Sequence, residues 1–276
     1  MAVKNGVDKT WYVKPRLSDG KCHSDSPKGE EPVSGDYYVD FTALTANETR
    51  VSLGGLWTNS VDGTGGNAAL ASNRSMQIRV STGGPRICCE TGATNDYDDS
   101  LAFLPGYAGN QRVEATVYRA PGYAPSSTNH ELEIHLGCVS FSGVNKRCVE
   151  IGFNYGGGYF IAGFNGDLVS WDAPPTGNMS SPWYSAATGS GSAPADGDVF
   201  RAELDRTAKT IKCWQNSTLV ISLQWANTAQ VTAAAQTVLN ALGDGAGLGA
   251  LRRIGADAVE GAFGWRNFRL SSTLLG

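Results

Sequence analysis

The sequence is short of charge and of long apolar runs, and each shortage excludes a class of protein. Charged residues make up 17% of the 276 residues and the net charge is −4, so the basic surface of a nucleic-acid-binding protein is not expected. No run of about 18 apolar residues occurs, which predicts no membrane span. The N-terminal residues contain no apolar stretch of roughly 7–15 residues, so we expect no secretory signal and synthesis in the cytoplasm.

The cysteines lack zinc-binding spacing. They stand at positions 22, 88, 89, 138, 148 and 213, with no CxxC pair. In a reducing cytosol this pattern favours free thiols over disulfides. Cys138 and Cys148 flank a predicted hairpin, and they could pair if the protein meets an oxidising medium.

Glycine, in contrast, is abundant, with 35 residues, as expected for strands joined by many tight turns. Short segments alternate apolar and polar residues, and no strand–helix–strand rhythm appears. The pattern predicts an all-β fold, a two-sheet antiparallel β-sandwich (jelly roll) with one short surface helix. That helix is predicted over residues 228–242, with Thr228 as its N-cap and Gly243 following its last turn.

Two parts of the chain are predicted. Residues 1–35 carry several prolines and polar residues, which indicates an extended arm or linker; an ordered extension packed on the same domain is the equal alternative. Residues 36–276 are expected to form the jelly-roll domain. Within it, residues 172–198 are predicted to be a long loop, of a length that is usually functional or disordered.

The segment 130–171 is predicted to hold the site. Alternation places Glu131, Glu133 and His135 on one face of a strand, and an apolar set on the other face. The apolar set is Leu132, Ile134, Leu136 and Cys138. The strand-like runs that follow, 148–153, 159–165 and 168–171, are expected to complete an antiparallel meander with a ligand site on its polar face.

Six segments resemble a known superfamily. They are VDFTALT (39–45), GGLWTN (54–59), QRVEATVY (111–118), YFIAGFNGDLVSW (159–171), GDVFRAELDRTAKTIKCWQNSTLVIS (197–222) and GWRNFRL (264–270). Over residues 36–272 the chain resembles the concanavalin A-like lectin/glucanase superfamily, and more narrowly the LamG-like jelly rolls of bacterial extracellular and phage structural proteins. The resemblance implies the jelly-roll fold but no single function, because the fold hosts lectins, glycosidases, lyases and inert spacers.

The resemblance suggests catalytic residues but also shows a broken motif. Laminarinase-type members carry Glu-x-Asp-x-Glu on one strand, and Glu131, Glu133 and His135 occupy the similar positions here. His135 stands where the acid/base glutamate would be, although a protonated histidine can act as an acid. Alginate-lyase-type members have a catalytic tyrosine where Asn165 stands. Both departures argue against catalysis.

Two further interpretations of the polar face remain open. It could be the solvated side of an antiparallel sheet, since such faces are commonly polar. It could also hold a sugar, because lectin-like sites combine aromatic rings with carboxylate and amide groups. The residues predicted to bind such a ligand are Glu131, Glu133, His135, Tyr159, Asn165, Asp167, Trp171 and Trp183.

No cofactor is predicted from motifs. His130 and His135 lie five residues apart, on opposite faces of a strand, so they are not expected to share a metal. The superfamily allows a structural calcium ion, but no calcium-loop motif occurs, and the acidic residues at 96–99 are predicted to be a solvated turn.

The leading prediction is a non-catalytic structural or decoration protein of a phage virion, whose surface would contact glycans or the cell envelope or would only decorate the particle. It would be synthesised in the host cytoplasm and contact other virion proteins through the arm at 1–35; without a virion, it would stay cytoplasmic. The alternative is a polysaccharide-active enzyme, a glycoside hydrolase or lyase, with Glu131, Glu133 and His135 as its working groups.

Overall fold

The computed structural model describes residues 37–41, 58–59, 76–79, 86–89, 97–104, 107–124, 130–139, 145–167, 183–253 and 263–276. Within these ranges lie two antiparallel sheets and one helix. This confirms the predicted all-β sandwich. No helix in the described ranges is long and apolar enough to cross a membrane.

The elements follow one another along the chain as short strands. They are β1 (Tyr37–Asp40), β2 (Thr58–Asn59), β3 (Met76–Arg79), β4 (Arg86–Cys89), β5 (Tyr97–Leu104), β6 (Gln111–Arg119), β7 (His130–Cys138), β8 (Asn145–Asn154), β9 (Gly158–Asp167), β10 (Trp183–Ser190), β11 (Val199–Asp205), β12 (Thr210–Gln215), β13 (Thr218–Gln224), α1 (Ala233–Asn240), β14 (Gly245–Arg253), β15 (Phe263–Trp265) and β16 (Asn267–Ser271).

The two sheets have different strand orders. The nine-stranded sheet has the order β13-β12-β11-β6-β15-β4-β3, with β16 pairing with β6 and β1. The seven-stranded sheet has the order β10-β9-β8-β7-β14-β5-β2. Strand β7 therefore lies in the middle of the second sheet, and β7, β8 and β9 form the predicted meander.

The core fills the space between the sheets. The apolar positions of β6 and β7 are fully buried there, and the Phe153 and Phe200 rings meet with centroids 4.1 Å apart. Trp265 on β15 is also fully buried, and its Nε1 donates to the carbonyl oxygen of Gly249 on β14, 3.0 Å away. Each large apolar side chain buried in this way contributes about 1.5–3 kcal/mol.

The helix is shorter than predicted. It begins after Thr232, whose side-chain oxygen accepts from the Ala235 backbone N–H, so the predicted N-cap at Thr228 is wrong. The physical reason is a competing turn, in which the Asn227 side chain accepts from the Ala229 N–H and keeps these residues out of the helix. The inner face of α1 is buried against the seven-stranded sheet. A Cβ added to Gly163 of β9 would lie only 3.1 Å from the Val238 side chain, so helix and strand are in close contact there.

Two other predictions need correction, and one strand was missed. The predicted loop 172–198 contains β10. This strand pairs with β9, and the pairing has a register shift between Ser185 and Ala187. The predicted acidic turn at 96–99 overlaps the start of β5, where Asp98 lies opposite Arg252 and Asp99 opposite Leu251. Strand β14 was not predicted. The predicted strand at 168–171 lies outside the described residues.

Candidate functional site on the seven-stranded sheet

The site is built on the alternation of β7. Its apolar residues join the core, so Glu131, Glu133 and His135 lie on the opposite face of the sheet, as the sequence predicts. The core residues of this strand are Leu132, Ile134 and Leu136. The outer face of β7 is therefore the candidate site.

Glycines flank the ionisable residues on both neighbouring strands. Glu133 lies opposite Gly152 of β8 and Gly249 of β14, and His135 lies opposite Gly247 of β14. A glycine leaves free the space that a side chain would occupy. The longer Glu133 and His135 side chains can therefore pack close to the backbone of the neighbouring strands.

The face is not solvated where the sequence suggested it would be. Glu133 and His135 have exposed fractions of 0%, and Glu150 of β8 has 4%. Only Glu131 of the predicted trio is partly exposed. The interpretation as an ordinary solvated face is therefore wrong for Glu133 and His135.

Both ring nitrogens of His135 have a side-chain neighbour. Its Nε2 lies 2.7 Å from Oε2 of Glu133, and its Nδ1 lies 3.4 Å from Sγ of Cys148. One neutral tautomer satisfies both contacts, with Nε2–H donating to the carboxylate and Nδ1 accepting from the thiol. A buried carboxylate needs such a partner, because an unpaired charge in the interior is costly.

Glu150 completes the cluster from the neighbouring strand. It lies opposite His135 in the β7–β8 register. One oxygen of each carboxylate and one nitrogen of His135 lie within 4.8 Å of one another, so Glu133, His135 and Glu150 could hold a metal ion. Glu150 was missed as a site residue, although the alternation of Cys148, Glu150 and Gly152 against apolar neighbours places it on this face.

A second feature lies at the border of the cluster, above Gly152. A Cβ at Gly152 would contact both Oε1 of Glu131 and the ring of Phe160 on β9. Both side chains are partly exposed. The glycine thus lets a carboxylate and an aromatic ring approach the same point beside Glu133.

One other predicted ligand residue, Tyr159, does not join this cluster. Tyr159 is buried between the sheets, its ring against Phe153 at 5.4 Å and its hydroxyl donating to Gln215 Oε1 at 3.0 Å. Burial raises the pKa of its hydroxyl. Its side chain therefore lies on the face opposite Glu133, and the prediction that it shares their ligand is wrong.

The remaining predicted residues are placed by register alone. Asn165 and Asp167 lie in β9 opposite Arg147 and Asn145. Trp183 begins β10 opposite Phe164. Trp171 lies outside the described residues. Cys138 and Cys148, whose pairing was left open, are both buried free thiols in this structure.

Comparisons with known proteins give likeness in fold. No protein-family model and no curated protein matches the chain. The carbohydrate recognition domain of Emp46p in its potassium-bound form is 11% identical, with a TM-score of 0.46 over 86% of this chain and 96% of that one. The Bacillus licheniformis beta-glucanase is 11% identical, with a TM-score of 0.46 over 87% and 99%.

Carbohydrate binding module CBM66 from Bacillus subtilis is 9% identical, with a TM-score of 0.37 over 78% of this chain and 92% of that one. At such identities and TM-scores the likeness carries no argument about function, which rests on the residues of the site.

Proposed function

We propose that this chain is a non-catalytic jelly-roll protein that binds carbohydrate on the outer face of the seven-stranded sheet. The observation that carries the proposal is the meeting of Phe160 and Glu131 above Gly152, both partly exposed. Sugar sites combine an aromatic ring, which packs on the apolar face of a pyranose, with a carboxylate that accepts from its hydroxyls.

The burial of the neighbouring residues supports binding over catalysis. A glycosidase acid must reach the glycosidic oxygen, and its nucleophile or base must reach the anomeric carbon or a water. Glu133 and His135 have exposed fractions of 0%, so a polysaccharide laid on this face does not touch them. The enzyme alternative would need this face to open.

Affinity electrophoresis against β-glucans and polyuronates tests the proposal. We expect Phe160→Ala to weaken binding about tenfold, equivalent to about 1.4 kcal/mol. Tyr38→Ala, which removes a partly exposed aromatic ring from the nine-stranded sheet, is the matched control and should bind as the wild type does. Equal weakening in both variants, or no binding by the wild type, would contradict the proposal.

Assays for new reducing ends and for unsaturated uronate products separate binding from catalysis. We expect no turnover with any polysaccharide that binds. Turnover that disappears in Glu131→Gln would establish the enzyme alternative instead.

We further propose a biological setting, in which the chain is a structural or decoration protein of a phage virion. Its support is the sequence resemblance to the LamG-like jelly rolls of phage structural proteins. Peptide mass spectrometry of purified particles tests it, and we expect the chain to be found at a fixed ratio to the main particle proteins. A chain present in the cells but missing from their particles would refute this assignment.

A further inference from the structure

The geometry points to a site for one divalent transition-metal ion, held by Glu133, His135 and Glu150 on the seven-stranded sheet. This inference is independent of the carbohydrate proposal, because the ion would lie among the buried residues rather than at the Phe160–Glu131 surface. It starts from the donor atoms, which lie within 4.8 Å of one another on two adjacent strands.

Two properties distinguish this cluster from an ordinary group of acidic side chains. All three residues are buried, with exposed fractions of 0%, 0% and 4% for Glu133, His135 and Glu150. Their donor set is mixed, with one imidazole nitrogen and two carboxylate oxygens. Two carboxylates and a neutral imidazole balance the charge of a divalent cation, which makes such a set stable in a low-dielectric interior.

The donor types select the class of metal. Calcium takes about 6–8 oxygen ligands, and a set of three donors that includes an imidazole nitrogen does not suit it. Zinc and its first-row neighbours accept nitrogen and carboxylate oxygen together, and a site with three protein ligands leaves a coordination position for water. We therefore assign the site to Zn²⁺ or a similar ion and not to the calcium considered from the sequence.

The observed contacts require a small adjustment on binding. His135 Nε2 and Glu133 Oε2 are 2.7 Å apart, which is a hydrogen-bond separation. With metal–ligand bonds of about 2.0–2.2 Å in tetrahedral geometry, two donors lie roughly 3.3–3.5 Å apart. The ion would replace the proton between these atoms, and the two atoms would move apart by about 0.6–0.8 Å.

Cys148 would orient the ligand rather than bind the ion. Its Sγ lies 3.4 Å from Nδ1 of His135, on the side of the ring away from Nε2. A histidine that binds metal through one nitrogen commonly has its other nitrogen hydrogen-bonded, which fixes the ring orientation. The thiol therefore occupies the position of an outer partner.

Equilibrium dialysis of the chelator-treated full chain against Zn²⁺ tests the assignment. We expect one ion per chain in the wild type, and at least about tenfold weaker binding in Glu150→Gln, which keeps the side-chain volume and removes the charge. Glu114→Gln, on the nine-stranded sheet, is the matched control and should bind zinc as the wild type does. Unchanged zinc affinity in Glu150→Gln would overturn the assignment.

The absorption spectrum of the Co²⁺-loaded wild type gives a second readout that needs no variant to fold. Nitrogen and oxygen ligands give visible d–d bands without a sulfur-to-cobalt charge-transfer band in the near ultraviolet. A strong charge-transfer band would show a thiolate site and overturn the donor set proposed here. A spectrum equal to that of free Co²⁺ would show that no such site exists and would also overturn the proposal.

Discussion

At the scale of single residues, two buried tyrosines differ in how their hydroxyls are satisfied. The single proton of the Tyr159 hydroxyl has two acceptors within reach, Gln215 Oε1 and the Ser192 carbonyl oxygen. The hydroxyl of Tyr155 is buried and makes no hydrogen bond within the described residues. A buried hydroxyl without a partner contributes nothing that phenylalanine would not, whereas a satisfied one stabilises the fold.

Replacing each of these two tyrosines by phenylalanine should have a different effect on stability. We expect Tyr159→Phe to lower the free energy of unfolding by about 1–2 kcal/mol, because Gln215 loses a donor. Tyr155→Phe should leave the free energy of unfolding unchanged or raise it. Urea denaturation of both variants measures this, and equal losses would show that the Tyr155 hydroxyl has a partner.

Alkaline pH gives a second test of Tyr155. Burial raises the pKa of its hydroxyl above the ordinary value of 10.0. Above about pH 10 the unfolded chain therefore releases a proton that the folded protein keeps, so the free energy of unfolding falls as pH rises. We expect a shallower fall in Tyr155→Phe, by up to about 1.4 kcal/mol per pH unit; parallel curves would contradict this.

At the scale of elements, the strands that sequence analysis located are those with strong alternation. Strand β7 combines apolar inward positions with polar outward ones, and the predicted runs 148–153 and 159–165 lie within β8 and β9. Strand β14 was missed because glycines at positions 245, 247 and 249 remove the outward half of the pattern. Strand β10 was missed because its small polar residues are those of a loop.

The candidate site, like the strands, could be predicted only in part from the sequence. The face of Glu133 and His135 follows from the period of one strand. Glu133 and His135 also lie beside β14, a strand that is distant in sequence and was not predicted. The position of Glu150 depends on the register between β7 and β8. The helix α1 lies within the predicted range 228–242, but the residue at which it begins is set by a local contact between Thr232 and the Ala235 N–H.

The N-cap of α1 gives a test at this scale. Thr232 accepts from the Ala235 N–H at 3.2 Å, so Thr232→Ala should lower the free energy of unfolding by about 0.5–2 kcal/mol. Thr237→Ala, an exposed position within the same helix, is the control and should change it by less. The assignment of Thr232 as the cap fails if the two variants are equally stable.

At the scale of the whole molecule, one arginine joins segments that are far apart in sequence. The Arg206 guanidinium donates to the carbonyl oxygens of Gly109, Leu242 and Gly243. Its backbone N–H donates to Asn110 Oδ1 at 2.9 Å. These contacts hold the approach to β6, the turn after β11 and the end of α1 together at one end of the sandwich.

We expect Arg206→Ala to be among the more damaging single changes outside the core. It leaves three carbonyl oxygens without this donor, at a cost of about 1–3 kcal/mol. The measurement is the midpoint of chemical denaturation. A shift equivalent to less than about 0.5 kcal/mol, the usual effect of a surface substitution, would show that water replaces the arginine without loss.

The burial of Cys148 beside His135 has a kinetic consequence. Alkylating reagents reach a fully buried thiol only when the structure opens locally, so its modification rate measures how often that face opens. Residue-resolved mass spectrometry can follow Cys148 and Cys213 in one sample, since both are fully buried, in the seven-stranded and nine-stranded sheets respectively. The ratio of their rates would show whether the two halves of the sandwich open together or one at a time.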